Sequence, residues 1–197
     1  MNYLAHAYLS FNIPPILVGN MISDFVKGKK QFDFAPDVQQ GIRLHRAIDQ
    51  FTDEHPATAR AKEVFRPHYR LYSGAFVDVV YDHFLARDVN QFSNDRLFDF
   101  SQTVYSTLEQ YAGIFPRDFQ LMFPYMKKHN WLYHYGEPES IGRSFEGLVR
   151  RSAYLTESKI AFGLFERHYD EFQVCYDAFF PEVKSFVRLQ LETFDNK

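Results

Sequence analysis

Apolar side chains recur along most of this chain at intervals of three and four residues, the spacing that lines one face of an α-helix. Residues 2 to 11 predict a short apolar helix carrying His6, which Asn12 and the Pro14-Pro15 pair should break. Ile16 to Val26 predicts a second helix around Asn20 and Asp24, with Gly28 suited to its C-terminal cap. Residues 31 to 37 read as a loop. A helical pattern then runs from Val38 through His45 and Asp49 to Asp53 and stops before His55-Pro56. A charged helix from Pro56 to about Val64 leads through Arg66-Pro67-His68-Tyr69-Arg70 into Gly74–Ala86.

The second half predicts longer amphipathic helices over Ser93 to Phe115, over Pro116 to Trp131 with an interruption near Pro124, and over Glu139 to Arg151. Asn130 to Pro138 reads as the clearest loop. Two further helices are expected over about Thr156 to Phe180 and Pro181 to Phe194. The stripe Phe162, Phe165, Tyr169, Phe172 and Tyr176 is expected to be core. No repeat, low-complexity tract or second domain boundary interrupts the pattern. It points to an all-α, single-domain multi-helix bundle across 1–197, with a metal-site half over about 1–90 and an aromatic-rich half over about 91–197.

Composition agrees with this architecture. Phe (22) and Tyr (13) are abundant while Gly and Pro number nine each, which favours helices packed through bulky side chains over a turn-rich sandwich. A formal charge of -3 argues against a general nucleic-acid binder. With Cys175 as the single cysteine, no intramolecular disulfide or thiolate zinc site can form, and its expected role is a small buried hydrophobe. The N-terminus has no basic region followed by an apolar segment, and no apolar run approaches the ~18 residues of a membrane span. These features predict a soluble cytoplasmic protein that binds neither membrane nor nucleic acid.

The helix over Gly74–Ala86 carries the sharpest signal. Asp78, Asp82 and His83 interrupt an otherwise apolar run, and Asp78 and Asp82 fall one turn apart on one face. Two carboxylates buried together repel each other and lose several kcal/mol of hydration unless a cation compensates. A metal ion and an arginine partner both meet that need. His45 and Asp49 repeat the one-turn spacing, and so do Asp49 and Asp53. Together with His6, Asn20 and Asp24 they place imidazoles and carboxylates on at least four predicted helices. That donor mixture suits Mn, Fe, Zn or Co, with Mg possible where water fills most positions. His129, His134 and His168 lack a comparable carboxylate pattern and read as surface or loop residues; His55 reads as a helix boundary.

Such a site favours phosphoester hydrolysis. Covalent catalysis has less support, because neither a Gly-x-Ser-x-Gly elbow nor a P-loop is present. The Glu-x-x-His pairs of di-iron bundles are also missing. Arg66 and Arg70 can hold a phosphate or pair with carboxylates. Lys27, Lys29 and Lys30 either complement a helix dipole or form a basic rim for an acidic partner.

The segments MNYLAHAYLS, GNMISDFVKG, GIRLHRAIDQFTDEHP and YRLYSGAFVDVVYDHFLA, in that order and with an aromatic C-terminal half, resemble the acyl carrier protein phosphodiesterase family. The resemblance spans most of the chain. It implies an all-helical, metal-dependent enzyme, an atypical relative of the HD phosphohydrolases that favours manganese. The implied reaction removes 4'-phosphopantetheine from holo-acyl carrier protein by hydrolysing its phosphodiester to a serine. An HD enzyme has His directly followed by Asp, whereas this chain has Asp82-His83, and His45 is followed by Arg46. Asp24, His45, Asp78, Asp82 and His83 are the expected metal ligands, with His6 and Asp49 as catalytic groups, as further ligands or as groups behind them. Because acyl carrier proteins are acidic, the resemblance makes Lys27, Lys29, Lys30, Arg43 and Arg46 candidates for steering that partner. The alternatives are a nucleotide or other small phosphoester as substrate, or a non-catalytic helical protein that binds an acidic partner.

Overall fold

Proline sets where several helices begin. It occupies the first turn of α2 (Pro14–Ile22), α3 (Pro36–Glu54) and α4 (Pro56–Tyr69), where a missing N–H leaves no bond unmade. Before them comes α1 (Tyr3–Tyr8), and after them α5 (Ser73–Arg87). The computed structural model describes residues 1–92 and 96–195, and helix is the only regular structure among them. The second half contributes α6 (Arg96–Gln110), α7 (Arg117–Lys128), α8 (Trp131–His134), α9 (Pro138–Arg151), α10 (Lys159–Arg167) and α11 (Tyr169–Asp195). The expected start of α6 at Ser93 lies outside the described residues.

Proline inside a helix misled the sequence reading. α4 continues through Pro67 and α7 through Pro124. The last break falls at His168 rather than at Pro181, which sits within the 27-residue α11. An interior proline forfeits one backbone bond, at a cost of about 3 kcal/mol. Phe179, Phe180 and Val183, all buried around Pro181, offset that cost by holding the segment to the core. Gly28 also differs from expectation. α2 ends at Ile22, a 3-10 turn over Ser23–Phe25 carries Asp24, and Gly28 at φ 56° opens a second such turn over Gly28–Asp33. The expected loop over 130–138 contains the single turn of α8.

The core is aromatic, as the stripe on α10 and α11 anticipates. Phe165, Phe172 and Tyr176 are buried, while Phe162 and Tyr169 pack at its edge. Phe65 stacks on Phe172 at 5.1 Å between ring centroids, and Tyr81 on Phe179 at 4.9 Å. Cys175 is buried and free. Among the described residues no helix is long and apolar enough to cross a membrane.

One contact positions the site. α2 and α3 approach so closely at Gly19 and Gly41 that a Cβ on Gly19 would lie 2.1 Å from the Val38 carbonyl oxygen. A Cβ on Gly41 would lie 2.3 Å from the Ile16 carbonyl oxygen. Only glycine admits that spacing, and it brings the backbone of Asn20 within reach of the His45 ring one turn beyond Gly41.

Candidate metal centre

His45 Nδ1 donates to the Asn20 carbonyl oxygen at 2.8 Å. That bond fixes the ring and turns Nε2 outward, 3.1 Å from Asp24 Oδ1 and 3.1 Å from Asp49 Oδ2. His6, carried by α1, stacks on His45 with centroids 3.9 Å apart and planes 13° from parallel. Its Nε2 stands 3.2 Å from Asp49 Oδ1 but off the line that a hydrogen bond needs, and both ring nitrogens of this buried imidazole are without a hydrogen-bond partner. One nitrogen each from His6 and His45 and an oxygen of Asp49 lie within 4.8 Å of one another. The imidazoles are walled in, whereas the Asp49 side chain is 40 % exposed and that of Asp24 is 64 % exposed.

The electrostatics separate the two histidines. Burial disfavours the His45 cation, but Asp24 and Asp49 outweigh it and raise the ring to about 9. Burial, and then the His45 charge beside it, push His6 down to about 4 against the pull of Asp49. Burial raises the Asp49 carboxyl, yet His45, His6 and the N-terminal ammonium together hold it well below the usual carboxylate range. The group can hold a metal ion. A buried imidazole with no hydrogen-bond partner, close to a carboxylate and stacked on a second imidazole, is a donor set that a divalent cation would satisfy.

The carboxylates of Asp78 and Asp82, one turn apart on α5, take different partners in this structure. Asp78 Oδ1 takes the Met1 ammonium at 3.0 Å, and the same ammonium lies 3.3 Å from Asp49 Oδ1. Burial raises the Asp78 carboxyl, with the ammonium opposing. Asp82, fully buried, accepts from the backbone N–H groups of Leu4 at 2.7 Å and Ala5 at 3.1 Å, and so caps the first turn of α1. Burial pushes it up to about 7 even though these donors favour its ionised form. His83 turns away altogether. Its Nδ1 donates to the Tyr135 carbonyl oxygen at 2.8 Å and its Nε2 accepts from the Tyr169 hydroxyl at 3.1 Å, which leaves no nitrogen for a metal. His83 points away because it is about 100° around α5 from Asp82, on the face that α8 and α11 cover.

The remaining candidates divide in the same way. Lys27, Lys29 and Lys30 are exposed on the turn that follows Asp24. Arg43 is also exposed, but Arg46 is engaged, donating to the Val26 carbonyl oxygen at 3.0 Å and to Gln31 at 2.9 Å, which ties the lysine turn to α3. Arg70 ends α4 at φ 46° and is exposed. Asn20 serves the site through its backbone and through Nδ2, which donates to the His6 carbonyl oxygen at 2.9 Å. His55 caps α4 by accepting from the Ala57 N–H at 3.1 Å. The Met1 ammonium is the component that sequence reasoning missed, since no residue pattern marks a backbone amine that pairs with side chains far along the chain.

A family model described as "Acyl carrier protein phosphodiesterase" matches residues 1–183. The chain belongs to this family. It is 34% identical over 182 residues to the acyl carrier protein phosphodiesterase of Yersinia pestis, covering 92% of this chain and 94% of that protein. It is 31% identical over 182 residues to that of Photorhabdus laumondii, covering 92% of each. It is 33% identical over 186 residues to that of Escherichia coli O139:H28, covering 93% and 95%. No solved structure matches the chain. The residues of the candidate centre, from His6 to Asp49, fall within the matched span.

Proposed function

We propose that this protein hydrolyses the phosphodiester joining 4'-phosphopantetheine to a serine of holo-acyl carrier protein, releasing the apo protein. The observation that carries the reading is the buried, unpartnered His6 imidazole stacked on His45 over Asp49, in a chain that belongs to this family. His6, His45 and Asp49 would hold a divalent cation, manganese in the first instance, with Asp24 at the open side. When bound, such an ion polarises a phosphoryl oxygen and lowers the pKa of a coordinated water.

The chain's own residues prepare that chemistry. The Asn20 carbonyl oxygen holds the proton of His45 on Nδ1, so that Nε2 offers its lone pair to the centre once the ring is neutral. His6, already held neutral by burial, needs no deprotonation to serve as a ligand. The Met1 ammonium bridges Asp49 and Asp78 and fixes the Asp49 carboxylate beneath the imidazoles. The exposed edges of Asp24 and Asp49 are where a phosphodiester and the attacking water can arrive. Lys27, Lys29 and Lys30, exposed beside Asp24, would draw an acidic carrier protein to that opening.

Mass spectrometry of holo-acyl carrier protein incubated with this protein, with and without Mn, tests the reading directly. Metal-dependent loss of the phosphopantetheine mass is expected. An unchanged carrier mass alongside turnover of a small phosphoester panel would transfer the activity to a different substrate.

A further inference from the structure

A cleft of about 680 Å³ opens between the end of α7, α8 and α9. Its volume is that of a site for a small organic ligand, and it is concave where a protein-docking face would be flat. None of His6, Asp24, His45 and Asp49 lines it, but Asn2 and Tyr3, which follow Met1, do. Asn2 follows directly on Met1, whose ammonium touches Asp49, and its carbonyl oxygen accepts from the His6 N–H at 3.2 Å. Val79, next to Asp78 on α5, closes the same end.

The lining is basic in a chain that is acidic overall. Lys128, Arg143, Arg150 and Arg151 face Glu137 and Glu146, a formal excess of two positive charges. Glu137 is already held by His134 at 2.8 Å and lies 3.9 Å from Arg143. Lys128, Arg150 and Arg151 form no ion pair with a carboxylate among the described residues. Arg151 shares the lining of the cleft with Tyr3 and Tyr135. Guanidinium groups meet phosphate oxygens through paired N–H donors, an arrangement no other side chain offers.

A second observation narrows the ligand further. The side-chain oxygen of Asn130, held at φ 41° ahead of α8, is buried at the cleft with no donor. It asks for an N–H, and Trp131 beside it offers an apolar wall. A ligand with a phosphate at one end and amide groups along an otherwise apolar chain satisfies both demands.

We propose that this cleft is a binding site for a phosphorylated, amide-containing chain, and that it holds the prosthetic arm of the substrate with its phosphate toward the candidate centre and Arg151. This rests on the function proposed above, because it takes the arm to be the leaving part of the substrate. Free 4'-phosphopantetheine, pantetheine and inorganic phosphate are the probes, titrated calorimetrically into the full-length protein with and without Mn. 4'-Phosphopantetheine is expected to bind at least about tenfold more tightly than either other probe. Arg151→Gln, and more so Arg150→Gln with Arg151→Gln, should remove about tenfold of that affinity while Mn binding stays unchanged.

Equal binding of pantetheine and its phosphate overturns the proposal, as does inorganic phosphate binding as tightly as the whole arm. Undiminished arm binding by the double variant also overturns it. Both arginines are exposed, so these variants fold. A protein that binds the arm through Arg151 yet leaves holo-carrier protein intact would keep this site and lose the proposed reaction. Cleavage of the carrier by a protein whose arginine variants bind the arm normally would keep the reaction and lose the site.

Discussion

The rings of His6 and His45 lie face to face, 3.9 Å apart, with their Nε2 atoms 3.2 and 3.1 Å from different oxygens of Asp49. Two imidazolium ions cannot share that space, so one ring is charged and the other neutral. Asp49→Asn removes one of the two carboxylate charges that maintain the difference. In metal-free protein, NMR titration should follow the His45 ring from about 9 toward its ordinary value near 6.5. The same substitution should weaken Mn binding by at least about tenfold, since a carboxylate becomes a neutral amide.

Asp82 belongs to the scaffold on this geometry, and stability separates that role from ligation. Asp82→Ala leaves the N–H groups of Leu4 and Ala5 buried without acceptors, at a cost of about 2–4 kcal/mol in denaturant unfolding. The extra stability conferred by saturating Mn should be the same in variant and wild type. A variant that loses the Mn increment would make Asp82 a ligand after all.

Much of the fold was legible because helical periodicity and first-turn prolines are local signals. The boundaries at Pro36, Pro56 and Pro138 and the interiors of α3, α5 and α9 follow from the sequence within a few residues. Pro124 and Pro181 lie inside helices because what packs around them makes them tolerable, and local sequence does not contain that information. At the site, residue type and one-turn spacing brought out His45 with Asp49, and Asp78 with Asp82. They could not distinguish a carboxylate facing an imidazole from one facing backbone N–H groups. The partners of Asp82 are 77 and 78 residues away along the chain, and no helical wheel displays them.

His83 carries a pH dependence with a definite sign. Burial holds it down at about 4, below its ordinary value of 6.5, with the Tyr135 carbonyl opposing. Between these values the unfolded chain binds a proton that the folded chain refuses. Its contribution is therefore fully present above pH 6.5 and is lost as pH falls toward 4, by at most about 1.4 kcal/mol per pH unit. His83→Gln should be less stable at pH 7 by about 1–3 kcal/mol and should show a flatter acid limb in thermal unfolding across that window.

The lysine turn beside Asp24 offers a kinetic test. Lys29→Glu with Lys30→Glu should slow cleavage of intact holo-carrier protein and reduce its dependence on ionic strength, leaving turnover of a small phosphoester unaltered. A stopped-time assay across a salt series measures both effects. Identical salt profiles for variant and wild type would remove these lysines from partner recognition.

A methyl group placed at the α2–α3 crossing should act on the whole molecule. Gly41→Ala sets its Cβ 2.3 Å from the Ile16 carbonyl oxygen and 2.9 Å from the Gly19 Cα, so the helices must separate. Overpacking of this kind costs about 1–3 kcal/mol, readable as a lowered denaturation midpoint.

That crossing also governs chemistry. The Asn20 carbonyl that dictates which nitrogen of His45 bears the proton is delivered by α2, and α2 is held at its distance by two residues that have no side chain. Moving the helices apart withdraws the acceptor, so that the His45 cation, on giving up a proton to become a ligand, can lose it from Nδ1 and keep on Nε2 the one that faces Asp49. Gly19 and Gly41 thus act as a spacer gauge for the basicity of a ring neither of them touches. Substitutions there should produce proteins that are folded yet misprotonated at their centre.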